Sequence, residues 1–311
     1  MSTDKFPHRV GWIGTGRMGA AIATRLLDAG VDLWVWNRTR SKAEALEEKG
    51  AKVVDSPAEL AERDIVFTMV GGPKDVLEVT FGSQGVMSNP ETRPSILIDS
   101  TTIDPGTSQE LTERAAAVGT SVLASPVSGN PKVVKSGRLT VVVSGPREAY
   151  DTSEPYIEQF GRKVTYVGGA DEARLVKIAH NLMLGVVTQS MAEITLLCEK
   201  AGVKRSDFLE FLNDSVMGST FTKYKTPAFV NLDYTPTFTS HLLRKDLELG
   251  LEASRLNDVP LPLTALTHQI VMENIGLGQG DEDFANQLSR HAAASGMEIE
   301  PEGIDVSTGL E

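Results

Sequence analysis

The sequence predicts an α/β chain: a doubly wound sheet over residues 1–168, followed by an all-α C-terminal domain. Three observations predict it. Short β-rich runs alternate with segments of helical period in the first half, a glycine-rich turn opens the first of those helices, and the strand signal stops after Gly169. Alternation of this kind implies parallel strands joined by crossover helices.

The strands read as RVGWIG (9–14), DLWVW (32–36), DIVFTMV (64–70), SILID (95–99) and TSVLAS (120–125), all apolar enough to be covered on both faces. RMGAAIATRLLDAG and SKAEALEEKG carry helical spacing, and each closes on a glycine suited to a helix C-terminus. LTVVVSG (139–145) and KVTYVGG (163–169) extend the sheet around one more helix. The boundary then falls at 168–170. A single helix is expected over 171–201, roughly 45 Å long at about 1.5 Å per residue. RSDFLEFLND, TSHLLRKDLELGLEASRLN and LPLTALTHQIVMENIGLG add further helices, so the second domain covers 169–295. The long helix is apolar almost all round, which implies cover on every side and a homodimer or homotetramer formed through the helical domain. The acidic tail 296–311 loses its period and is expected to be mobile.

The 311 residues suggest about two domains, at roughly 100–200 residues each. A net charge of −12 disfavours nucleic acid and anionic membranes as partners, although a pocket can be basic on an acidic protein. The one cysteine, Cys198, stands in an apolar run and reads as a core thiol in a reducing compartment. No signal-like segment or run of 18 apolar residues is seen, so the expected location is cytoplasmic. The five histidines show no ligand spacing, and no metal is expected.

Gly14-Thr15-Gly16-Arg17-Met18-Gly19 forms G-x-G-x-x-G straight after a strand and straight before a helix. There the glycines permit a tight turn, backbone approach to a pyrophosphate and close helix–strand packing, the marks of a Rossmann dinucleotide site. At the end of the second strand, where an NAD site usually carries a carboxylate, the chain has Asn37, Arg38 and Thr39. An amide, a guanidinium and a hydroxyl favour a 2′-phosphate, so the expected cofactor is NADP(H). Met69 and Val70, closing the 64–70 run, are expected to line it.

From here the sequence resembles the β-hydroxyacid dehydrogenases, a family that includes 3-hydroxyisobutyrate dehydrogenase, tartronate semialdehyde reductase and glyoxylate/succinic semialdehyde reductase. Its larger cousin is 6-phosphogluconate dehydrogenase. The likeness runs from about 9 to 290 through the glycine turn with its Met18-Gly19 pair, DSTTIDP (99–105), SPVSGNPKVVKSGRL (125–139), and LVKIAHN with LLRKDLEL downstream. It implies a 6-phosphogluconate dehydrogenase-like fold. It also implies Thr102 at the cofactor, Thr101 at the substrate, and Ser128 with Gly129 holding the substrate's acid group. Lys177 would be the catalytic lysine, Asn181 a substrate-binding asparagine, and Lys245 a residue near nicotinamide and substrate. Three departures bear on pocket shape: Asn130 where a glycine is common, Val134 where alanine is usual, and DEA at 171–173 in place of glycines.

Lys177 and Asn181, four residues apart, share one helical face. Reduction of a carbonyl by NADPH needs hydride at carbon and a proton at oxygen, and Lys177 is the expected donor, with Asn181 orienting it or the reacting oxygen. An ordinary lysine, near about 10.4, is a poor base at neutral pH, so burial and nearby cations are expected to bring it down. His180 reads as a hydrogen-bonded core or edge residue, Asp246 as structural, and Lys132, Lys135 and Arg138 as a solvated loop. Lys223 and Lys225 are open between structure and a distal phosphate, sulfonate or carboxylate. The favoured reading is an NADP-dependent enzyme interconverting a short β-hydroxyacid and its semialdehyde. The alternatives are an imine reductase-like enzyme and a non-catalytic NADP-binding scaffold, and the lysine at 177 counts against both.

Overall fold

The computed structural model describes residues 5–310. Residues 1–4, part of the N-terminal stretch read for a targeting signal, and residue 311, at the end of the tail, lie outside the described part. The chain forms two compact units, 1–177 and 178–311, dividing in sequence inside the long helix.

In the first unit, β1 (Val10–Ile13), α1 (Arg17–Asp28), β2 (Leu33–Trp36), α2 (Arg40–Glu44), β3 (Lys52–Val53), β4 (Ile65–Thr68), α3 (Pro73–Phe81) and β5 (Ile96–Asp99) are followed by α4 (Pro105–Ala117) and β6 (Ser121–Ala124). These strands lie in the order β3-β2-β1-β4-β5-β6, all parallel. That order reverses between β1 and β4, and ligands of open α/β sheets bind outside the carboxyl ends of strands at such a point. Period-two alternation sorts the core. Val10, Trp12, Ile65, Phe67, Ile96 and Ile98 pack on one face, and Ile13, Val66 and Leu97 on the other.

The sheet does not stay parallel. β7 (Val127–Ser128), α5 (Pro131–Lys135), β8 (Thr140–Ser144), α6 (Arg147–Ile157) and β9 (Lys163–Gly168) complete it. β8 runs antiparallel to β6 and β7, then parallel to β9 around α6. Asn130, where a second glycine is common, caps α5 by accepting from the N–H groups of Lys132 and Val133 at 3.0 and 3.1 Å. Val134 is buried in the core of the first unit.

α7 (Glu172–Lys200) has 29 residues and belongs to both units. It is not covered all round: Leu175, Val176, Met183, Ile194 and Leu197 are exposed, and Cys198 is half-buried. By length and composition it meets the criteria for crossing a membrane, with half of its most apolar window buried in the protein, as a core helix would have.

The second unit continues with α8 (Arg205–Asp214), α9 (Thr220–Val230), α10 (Ser240–Leu256), α11 (Pro262–Gly276) and α12 (Gln287–Ala294). Gly250 lets α10 approach α7: a Cβ there would meet Leu182 Cδ2 at 2.4 Å. The acidic tail, which composition predicts to be mobile, is tied down instead. Arg205, buried, donates to the Phe229, Val230 and Glu300 carbonyls and pairs with Glu199, while Glu302 accepts from Arg205 N at 2.7 Å. Met297, Ile299 and Val306 pack on the core between.

Candidate active site

The glycine turn follows β1. Gly14 has φ +101°, and a Cβ there would lie 2.1 Å from the Met69 carbonyl oxygen, so the end of β4 crosses directly against it. At Gly19 a Cβ would lie 1.9 Å from Gly14 O, an atom that already accepts from the Trp12 indole at 2.9 Å. Gly16 differs, because nothing stands within 4 Å of a Cβ built on it. Gly16 also heads α1 with no side chain capping the helix. Open space beside an uncapped helix N-terminus suits the pyrophosphate of a dinucleotide. The residues therefore fit such a cofactor. Arg17 is exposed beside this space, and Met18 packs partly on the core.

The NRT segment divides its labour. Asn37 Oδ1 accepts from Thr15 N at 2.9 Å and its Nδ2 donates to Thr39 O at 3.0 Å, so the amide braces the loop. Arg38 is 82% exposed and pairs with Asp75 at 2.9 Å. Met69 and Val70 are half-buried at the end of β4, flanking Gly14.

At the end of β5, Thr102 is half-buried. Thr101, expected at the substrate, is 3% exposed and its hydroxyl accepts from Val70 N at 3.1 Å, so it acts as a strut between strand ends. Beneath it lies a buried pair that sequence reasoning missed. Asp99, 0% exposed, accepts from Thr68 Oγ1 at 2.6 Å and from Arg174 Nη2 at 2.8 Å. Arg174 also donates to Thr101 O at 2.8 Å, Ser108 Oγ at 2.7 Å and Asp171 Oδ1 at 3.0 Å. Burial pushes the Asp171 carboxyl above its ordinary value, against the pull of Arg174. Asp171 and Ala173 thus have roles where glycines were expected, the latter through its N–H to Ser144 Oγ at 3.0 Å.

Lys177 follows Arg174 by three residues and is half-buried, not enclosed. Ser128 ends β7, and Gly129 follows with φ +142°, where a Cβ would press on Val133 Cγ1 at 2.7 Å.

In the second unit, Asn181 is buried and its Nδ2 donates to Asp246 Oδ2 at 2.6 Å. A carboxylate only accepts, so Asp246 fixes which end of the amide faces it. Asn181 Oδ1 lies 3.0 Å from Nδ1 of His180, whose ring is exposed. Lys245 Nζ lies 3.4 Å from Asp246 Oδ1. Asp246, read as merely structural, joins two of the expected site residues. The only sequence signal was its position next to Lys245. Lys225 is closed off as a ligand group: it is buried and bonded to Asp283 Oδ1 at 2.5 Å and Thr237 Oγ1 at 3.0 Å. Lys223 is half-buried. Among the described residues there is no cluster of three or more His, Cys, Asp or Glu that could hold a metal.

Two family models match in tandem. The NAD binding domain of 6-phosphogluconate dehydrogenase covers residues 9–168, and the NAD-binding region of NADP-dependent 3-hydroxyisobutyrate dehydrogenase covers 172–290. The chain is 30% identical to glyoxylate/succinic semialdehyde reductase 1 of Arabidopsis thaliana, over 89% of this chain and 96% of that one. It is 31% identical to a probable mitochondrial 3-hydroxyisobutyrate dehydrogenase of Dictyostelium discoideum, over 92% and 91%. Among solved structures, Psf3 in complex with NADP+ and 2-OPP aligns with a TM-score of 0.79 at 26% identity, over 91% of this chain and 99% of that one.

Proposed function

Because the chain belongs to the β-hydroxyacid dehydrogenase family, we propose that it interconverts a short β-hydroxyacid and its semialdehyde or oxo acid, with NADP(H) as cofactor. As a member of that family it is a nicotinamide-dependent hydroxyacid dehydrogenase. The proposed proton transfer is carried by the polar stripe on α7: Lys177, half-buried, with the anchored amide of Asn181 one turn further on.

Bound NADPH would supply the hydride. Lys177 gives the proton to the carbonyl oxygen as it becomes the hydroxyl, and in the oxidative direction takes it back. Asn181, its amide held by Asp246, orients the reacting oxygen or the lysine. Ser128 and the Gly129 N–H hold the acid group, while Lys245 adds positive charge for an anionic substrate. Gly16 and the head of α1 take the pyrophosphate. Preference for NADP(H) is supported by the lack of a carboxylate at the end of β2, and by an Arg38 guanidinium exposed enough to meet a 2′-phosphate. The neighbour solved with NADP+ agrees with that reading.

Exposed apolar side chains on the helical unit, among them Phe211, Leu256, Leu263 and Leu266, support the proposed homodimer or homotetramer. A cytoplasmic location is proposed with it, supported by a single cysteine that can form no internal disulfide.

The test is oxidation of NADPH with glyoxylate, succinic semialdehyde or tartronate semialdehyde, and reduction of NADP+ with 3-hydroxyacids. Lys177→Ala should cut turnover by about 10²–10⁴-fold with cofactor binding retained. Near-full activity in that variant sinks the mechanism.

A further inference from the structure

We infer that Arg174 is a positioning residue for Lys177, fixing the first turns of α7 against the segment after β5 through its hydrogen bonds to Asp99, Thr101, Ser108 and Asp171. The inference rests on the proposed role of Lys177 and goes beyond it.

The geometry gives the reason. The guanidinium is 5% exposed and meets four acceptors from three places: the end of β5 and the loop beyond it, α4, and the start of α7. A buried ion pair is a poor device for stability, since well-packed apolar groups of the same volume do as well or better. A planar fork with several directional bonds does supply a fixed orientation. All of it acts on one helical turn. Lys177 lies about 4.5 Å further along the axis and about 60° round from Arg174, too close for helix bending to absorb an error. The partners of Arg174 include Thr101 O, next to Thr102, so the lysine's backbone is referenced to the segment expected at the nicotinamide.

A double-mutant cycle separates positioning from simple support of the fold. Turnover is followed under single-turnover conditions, with NADPH and whichever semialdehyde the panel above identifies, for the native chain, Arg174→Lys, Lys177→Ala and the double variant. Arg174→Lys keeps the charge but loses the fork. It should lower the rate by about 10–100-fold, as expected of a misplacement near 1 Å, with the NADPH Kd within about two-fold. In the Lys177→Ala background the same change should alter the rate by less than about two-fold, because no lysine is left to misplace. Equal factors in both backgrounds overturn the inference. Because Asp99 is buried and Arg174→Lys disturbs its ion pair, the cycle is repeated with Ser108→Ala plus Asp171→Ala. That pair removes only the Nε contacts and leaves the bond to Asp99. It should cost about 3–10-fold, again only when Lys177 is present. Equal loss without Lys177, or no loss at all, overturns the inference. Failure of the underlying reading looks different: Lys177→Ala alone would then retain its activity.

Discussion

Asn37 Oδ1 accepts a hydrogen bond from Thr15 N at 2.9 Å, so the end of β2 is joined to the glycine turn by an amide where a carboxylate would serve an adenosine ribose. A carboxylate here could accept from the same N–H while repelling a 2′-phosphate. Asn37→Asp combined with Arg38→Ala should therefore move the ratio of kcat/KM for NADPH over NADH toward NADH by about 10–100-fold, the worth of one charge-assisted contact. An unmoved ratio would count against the reading of this segment.

Gly19 and Gly16 should part company on substitution. Gly19→Ala drives a Cβ to 1.9 Å from Gly14 O, and only backbone movement relieves it. The expected loss is about 1–3 kcal/mol or more in urea unfolding, with cofactor affinity falling alongside. Gly16→Ala meets nothing within 4 Å and has a φ of −66°. Its stability should stay within about 0.5 kcal/mol, while dinucleotide affinity drops because the methyl occupies the approach to the helix head. Calorimetric titration with NADPH distinguishes the two.

Lys225 and Asp283 form a buried pair, and burial pushes the lysine's pKa below its ordinary value against the pull of that carboxylate. Asp283 also accepts from Thr237 N, Thr237 Oγ1 and Ala285 N, so it organises the chain ahead of α12. Lys225→Met should destabilise the protein by about 3–5 kcal/mol, because a charge is left buried. KM for substrates of any length should hold steady. A raised KM at unchanged stability would restore Lys225 as a substrate contact.

The pair Arg9–Asp64 sets one arm of the acid response. The hydrogen bond from Arg9 holds the Asp64 carboxyl below its ordinary value of 3.8. The unfolded chain therefore binds this proton more readily than the folded one. The contribution is complete above pH 3.8 and disappears as pH falls through the lower folded value. Asp64→Asn should flatten Tm against pH on that acid limb and leave the slope above about pH 6 unchanged. An identical acid limb in the variant would show that the bond does not persist in solution.

The strands that were legible in the sequence are those with four or more residues of pattern. β3 and β7 have two residues each, too few to show any alternation. The glycine turn was legible because its chemistry is local. Arg174 was not, for its meaning depends on Asp99, 75 positions earlier. At the head of a mostly apolar run, a basic residue reads as a solvated end. The tail misled for the same reason: acidic composition suggests mobility, but Arg205 collects Glu300 and Glu302 from nearly a hundred residues away. The apolar run around Lys177 suggested an enclosed lysine, yet hydrophobicity does not specify what covers each face, and the residue is half-buried.

Arg174, Lys177 and Asn181 follow one another at i, i+3 and i+7 on a continuous helix, within about 60° of arc. That spacing makes chain length, more than residue identity, the constraint on this stretch. Exchanging Leu175 or Val176, both exposed, leaves the phase of the helix intact. Inserting or deleting one residue turns everything beyond it by about 100°: between 174 and 177 it severs the lysine's bearing from Arg174, and between 177 and 181 it severs the lysine's bearing from the asparagine's. Variants of this chain should accept lengthened surface turns, such as the one after Gly202, far more readily than a single added residue in these two turns of helix.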